Sequence, residues 1–169
     1  MDRDDDIIIT GKRHDFHADY EVGFKDNGII EGVKINLLSR CGISPDLSGA
    51  INSRALLHID NAYYLSDLLV ENYLCKTNTS SSTAFRVFGG NQGMMIIENI
   101  IDNIATHLKK DPAEIRKINF YQKNKKKITH YGMKIEDNVI TEIFSKLIRS
   151  CSYKNRRFKI KKLTQRANI

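Results

Sequence analysis

The chain has 169 residues and a mass of 19.4 kDa, with 41% hydrophobic and 28% charged residues, a globular composition that excludes wholesale disorder. No run reaches the ~18 apolar residues of a membrane helix, and the acidic start MDRDDD is unlike a secretory or transit peptide, so a soluble cytoplasmic protein is expected. The net charge of +7 is uneven: residues 1–108 carry 9 Lys+Arg against 15 Asp+Glu, whereas 109–169 carry 18 against 5, which suits either a polyanionic partner or solvated basic helices.

The first part reads as β structure. Tyr20, Val22 and Phe24 alternate with polar or small residues, Asp26-Asn27-Gly28 is a tight-turn signal, and Val33, Ile35 and Leu37 alternate again. This predicts a hairpin with one buried face. A loop from Gly42 to Gly49 leads to a short helix near Asn52–Leu57, and Leu68–Cys75 reads as a third strand. Met94, Ile97, Ile101, Ile104 and Leu108 recur at helical spacing, as a core stripe rather than a cofactor box. Asp111-Pro112-Ala113-Glu114 opens another helix: Asp caps, Pro suits the first turn, and Glu can bond back to the cap. Lys123–Lys127 is a basic loop. Ile140, Ile143, Phe144, Leu147 and Ile148 mark a further helix, and Tyr153–Arg166 is basic and weakly amphipathic. The expected fold class is α+β (mixed α/β), β-rich over 1–90 and helical over 91–166, as one partial domain over 1–169.

Cys41, Cys75 and Cys151 are odd in number and far apart, with neither CxxC nor Cys/His metal spacing. Free thiols are expected rather than a disulfide framework or a zinc site. The five histidines show no ligand spacing and read as structural or solvent-facing.

The segment from Lys76 to Gly93 is the chemically distinctive one. It is rich in Ser, Thr, Gly and Asn and contains Phe85, Arg86 and Phe88. Its glycines permit close backbone approach, and the last opens a predicted helix whose N–H groups favour anions. Arginine and phenylalanine add charge, hydrogen bonds and a stacking face. The same pattern also serves a purely structural turn. It matches neither a Walker loop nor a dinucleotide fingerprint.

The loop reads AFRVFGGNQGM from Ala84 to Met94. Upstream stand CKTN (Cys75–Asn78), RALLHIDNAY (Arg54–Tyr63) and TGKRH (Thr10–His14); downstream stand Asn119-Phe120-Tyr121, Tyr131-Gly132-Met133 and Glu136-Asp137-Asn138-Val139. In this order the chain resembles the molybdenum-binding subunit of bacterial-type xanthine dehydrogenases, in the xanthine dehydrogenase/aldehyde oxidase family. Only the last dozen residues match weakly.

The resemblance implies a molybdopterin-binding domain and hydroxylation of hypoxanthine or xanthine with oxygen from water. Arg54 falls on the arginine that stabilises charge on the purine, and Phe88 on the phenylalanine that packs against it. Arg86 falls on a molybdenum-site residue acting through the loop backbone; Gln92 and Gly93 are candidates for holding the pterin, and Phe85 for support. Iron–sulfur, FAD and NAD chemistry would lie in partner domains or subunits. The family's loop carries glycine where this chain has Val87 and proline where it has Asn91. No counterpart of the family's catalytic glutamate segment is expected here, so the chain alone should be inactive. The alternative is a non-catalytic remnant or scaffold using its basic helical half. Nucleic acid is not the expected partner, because only Tyr153 and Phe158 interleave with the basic run.

Overall fold

The computed structural model describes residues 2–124 and 127–166. Part of the basic loop predicted at Lys123–Lys127 lies outside them. The elements in chain order are α1 (Arg3–Ile9), β1 (Phe16–Phe24), β2 (Ile30–Gly42), α2 (Ser48–Leu57), β3 (Leu68–Lys76), α3 (Gly90–Leu108), α4 (Pro112–Asn119), α5 (Ile140–Ser150) and α6 (Tyr153–Arg166). The mixed α/β class is as expected.

The hairpin forms where the alternation places it. β1 and β2 run antiparallel with Tyr20 opposite Ile35 and Val22 opposite Val33. The turn closes through Gly28 N–H to the Lys25 carbonyl at 2.7 Å, and Gly28 holds φ +93°, a value that suits glycine. β2 then continues to Gly42, beyond the alternating stretch, and pairs parallel with β3, giving the sheet order β1-β2-β3 with α2 in the crossover.

One sheet face is buried under α3. Val33, Ile35 and Leu37 meet Ile97, Ile100, Ile101 and Ile104, all buried in one cluster. The stripe read at Ile97, Ile101 and Ile104 is therefore core, as expected; burying one such side chain contributes roughly 1.5–3 kcal/mol. In α4, Asp111 caps the helix through the Ala113 N–H at 2.8 Å. The expected reciprocal bond from the Glu114 side chain is not among the hydrogen bonds of the described residues. The Asp111 carboxylate instead also accepts from Tyr153 Oη and Arg157 Nε, which fastens α6.

Two features depart from the sequence reading. The N-terminal segment is not all sheet: Asp2 and Asp5 form a capping box that starts α1, none of whose residues is buried. The α5 stripe is only partly covered. Phe144 packs edge-on against Phe120, with ring centroids 5.2 Å apart, while Ile143 and Leu147 stay exposed.

Candidate functional site

The segment between β3 and α3 is tied down at several points. Thr83 N–H donates to the Lys12 carbonyl and Ser82 N–H to the Cys41 carbonyl, both at 2.9 Å, so the chain runs back along the segment before β1. It then makes a tight left-handed turn. Val87, Phe88 and Gly89 take φ of +74°, +52° and +93° in succession. Phe88 N–H reaches the Phe85 carbonyl and Gly90 N–H the Val87 carbonyl. The amides of Arg86, Val87 and Gly89 donate to no other described group. Successive free N–H groups at such a turn form a concavity suited to anions.

A residue to which the sequence assigned no role holds this turn. Arg13 Nη1 donates to the Arg86 carbonyl at 2.9 Å and to Asn91 Oδ1 at 3.2 Å, and its guanidinium carbon lies 4.3 Å from the centre of the Phe85 ring. The Phe85 ring thus carries the guanidinium that holds the turn. Asn91, where the family has proline, accepts the second of these hydrogen bonds.

The open sides of the glycines face protein. A Cβ on Gly89 would strike the Ile51 carbonyl, one on Gly90 would press on the His58 ring at 3.2 Å, and one on Gly93 would strike the Ala55 carbonyl. Gly93 is also buried and spends its N–H on Gly89. It lets α3 abut α2.

This seating positions the other candidates. The Gly89–Gly90 turn rests on the strip of α2 between Ile51 and His58, and Arg54 lies between those two on the chain, on the shoulder of that strip at 3.6 residues per turn. Arg54 is exposed in the last turn of α2, Arg86 is exposed, and Phe88 is half-buried. Neither the Arg54 nor the Arg86 guanidinium has a hydrogen bond or ion pair with a described group. Arg54 and the Arg86–Phe88 turn thus stand on abutting elements.

Gln92 faces the other side, toward the segment before β1. Its Nε2 donates to the His14 carbonyl at 3.0 Å, while its Oε1 is buried without a partner among the described residues. His14 is 2% exposed; its Nε2 shares a 2.7 Å hydrogen bond with Ser48 Oγ, and its Nδ1 is likewise unpaired. Both side chains line a cleft of about 370 Å³ between β1 and α3. Burial, outweighing the carboxylates of Asp15 and Asp46, holds His14 below the ordinary histidine range. The unfolded chain therefore takes up the proton first, and stability falls as pH drops below the ordinary histidine value of about 6.5. Urea midpoints should decline through that window and should do so less steeply in His14→Gln.

Val87 is a β-branched residue at a left-handed position. Val87→Gly should raise stability by about 1 kcal/mol, the relief of left-handed strain less glycine's entropy, read from the urea midpoint.

A model of the molybdopterin cofactor-binding domain matches residues 1–120, and the chain belongs to that family, within the xanthine dehydrogenase/aldehyde oxidase group. It is 41% identical over 157 residues to a xanthine dehydrogenase/oxidase of Gallus gallus, covering 93% of this chain and 11% of that protein. It is 40% identical over 153 residues to a xanthine dehydrogenase of Oryza sativa subsp. japonica, covering 90% and 11%. The chain thus spans about a ninth of the length of these relatives. Its fold is that of a Cu,Mo-CO dehydrogenase (TM-score 0.86, 19% identity, 99% of this chain and 22% of that one). It is also that of the aldehyde oxidoreductase from Desulfovibrio desulfuricans (TM-score 0.79, 23% identity, 88% and 16%).

The cofactor of the family is molybdopterin with molybdenum, and the residues here fit it. Two uncommitted guanidiniums and three free amides at the turn suit an anionic group, and the buried Gln92 oxygen suits a hydrogen-bonding ring edge. Among the described residues no group of three or more His, Cys, Asp or Glu side chains could hold a metal ion.

Proposed function

We propose that this chain forms one wall of the molybdenum-cofactor pocket of an oxypurine hydroxylase related to xanthine dehydrogenase. The observation that carries the reading is the abutment of α2, which carries Arg54, on the turn that carries Arg86 and Phe88, both arginines being uncommitted. Arg54 would stabilise negative charge developing on the purine, a task for a fixed, permanently ionised donor. Phe88 would pack its ring on the flat heterocycle. The Arg86 guanidinium would hold an anionic group of the cofactor, the amides around it would face the metal's ligand sphere, and Gln92 would hold the pterin. When bound, the cofactor supplies the oxidation chemistry that puts water-derived oxygen on an electrophilic carbon. Electrons would leave through iron–sulfur and flavin groups to NAD in partner domains or subunits, and the general base would come from another segment.

The test is cofactor content. The chain, purified from cells that make molybdopterin, should carry pterin and molybdenum, and Arg86→Ala should lower both about tenfold, the cost of losing one charge-assisted contact. Folded protein with no pterin above a blank would refute the reading. The chain alone should give no xanthine-dependent NAD reduction; turnover by it alone would overturn the assignment of the base elsewhere.

A further inference from the structure

Two helices are left uncovered along most of their length, and they carry opposite charge. In α6 every side chain from Lys154 to Gln165 is exposed. Only its first turn is fastened, by Tyr153 and Arg157 on Asp111 at 2.8 and 3.2 Å. At 3.6 residues per turn, Phe158, Lys159 and Lys162 then fall on the side away from that anchor. Phe158 is 69% exposed, and the helix contains no acidic residue.

α1 is the inverse. Asp4, Asp5 and Asp6 fill its first turn, Ile7, Ile8 and Ile9 follow, none is buried, and Ile8 is 76% exposed. Asp4 and Ile8 share a face at i, i+4, as Phe158 and Lys162 do on α6. No hydrogen bond or ion pair joins α1 to α6 within the chain among the described residues.

We propose that α1 of one copy docks on the outward face of α6 of a second copy, with Asp4 meeting Lys159 and Lys162 and with Ile8 covering Phe158. Every copy carries both surfaces, so a pair can close with two such contacts and double the buried area. A lipid surface is the poorer occupant, because cations on all sides of α6 leave no apolar flank to insert. A single-stranded nucleic acid is poorer too, because stacking rings are not interleaved with the cations.

Sedimentation velocity of the full chain tests this. Association is expected at low ionic strength and should weaken about tenfold or more at high ionic strength, as charge attraction is screened. Phe158→Ala, at a position too exposed to affect folding, should weaken it as well. Lys159→Glu/Lys162→Glu and Asp4→Lys should each be monomeric, with circular dichroism like the parent. Their equimolar mixture should associate again, because one contact then keeps its native signs and the other carries them exchanged. A parent chain that stays monomeric at low ionic strength, association that strengthens with salt, or a mixture of folded variants that stays monomeric would overturn the proposal. So would undiminished self-association of the glutamate variant accompanied by loss of its binding to anionic vesicles or an oligonucleotide.

Discussion

Gly93→Ala should destabilise the protein by about 3 kcal/mol, although alanine is the better helix former by about 1 kcal/mol. The added carbon would strike the Ala55 carbonyl oxygen and lie 3.2 Å from the Ala55 carbonyl carbon and 3.3 Å from that of His58. All three atoms are backbone of α2 or its cap, so no rotamer change can make room. The helices must separate, and the turn seated between Ile51 and His58 moves with α3. Urea denaturation reads the stability, and pterin content reads the consequence. Both should fall, although no side chain offered to the cofactor has changed. A neutral or stabilising substitution would mean that the helices are not in backbone contact here. Removal of Arg54 or Arg86 should behave in the opposite sense, lowering binding with little effect on stability, because both side chains are exposed and unpaired.

What could be read in the sequence was what repeats at a fixed spacing or is set by neighbouring residues. The period-two alternation of Tyr20–Phe24 and Val33–Leu37, the Asn-Gly turn and the α3 isoleucines each report a local geometry, and each element forms where it was read. α1 was missed because three β-branched residues, Ile7 to Ile9, point toward strand, whereas the helix is started by Asp2 and Asp5 just ahead of them. The Arg13 clamp was missed for a different reason. It joins residues 73 and 78 positions apart, and nothing periodic marks such a pair. The glycines show the limit most clearly. Absence of a side chain can be read from one letter, but whether a ligand or a carbonyl fills the space depends on which element the fold brings there. At Gly89 and Gly93 it brings α2.

The site residues divide along the same line. Arg54, Arg86 and Phe88 became candidates only through the resemblance, since an exposed arginine in a last helical turn carries no pattern of its own. The structure supplies what resemblance alone lacks, a physical route from one candidate to another: Ile51 and His58 of the α2 segment against Gly89 and Gly90 of the turn. Val87 sits at the centre of that turn with a backbone angle that penalises it, so the substitution from the family's glycine is carried as strain that the Arg13 and Asn91 contacts help to restrain.

Asn119→Ala should cost about 3 kcal/mol, from orphaned backbone groups rather than lost volume. Asn119 is buried at the end of α4; its Oδ1 accepts from the Ile30 N–H, and its Nδ2 donates to the Gly28 and Ile115 carbonyls, each at 2.9 Å. It therefore ties α4 to the β1–β2 turn across 89 residues of sequence. Truncation leaves the Ile30 N–H and the Gly28 carbonyl without partners in a place water does not reach. Asn119→Asp separates this cause from packing, because it keeps the shape and the acceptor but turns the donor into an anion facing two carbonyls. Desolvation and those carbonyls raise the carboxyl pKa of that variant, so the folded state holds the proton more tightly than the unfolded chain. Its stability must then rise as pH falls from neutrality toward the ordinary carboxylate range, opposite in sign to the His14 effect. Denaturation midpoints of Asn119→Asp that are flat or fall over that interval would show that the amide's donor bonds are not what holds the turn to α4.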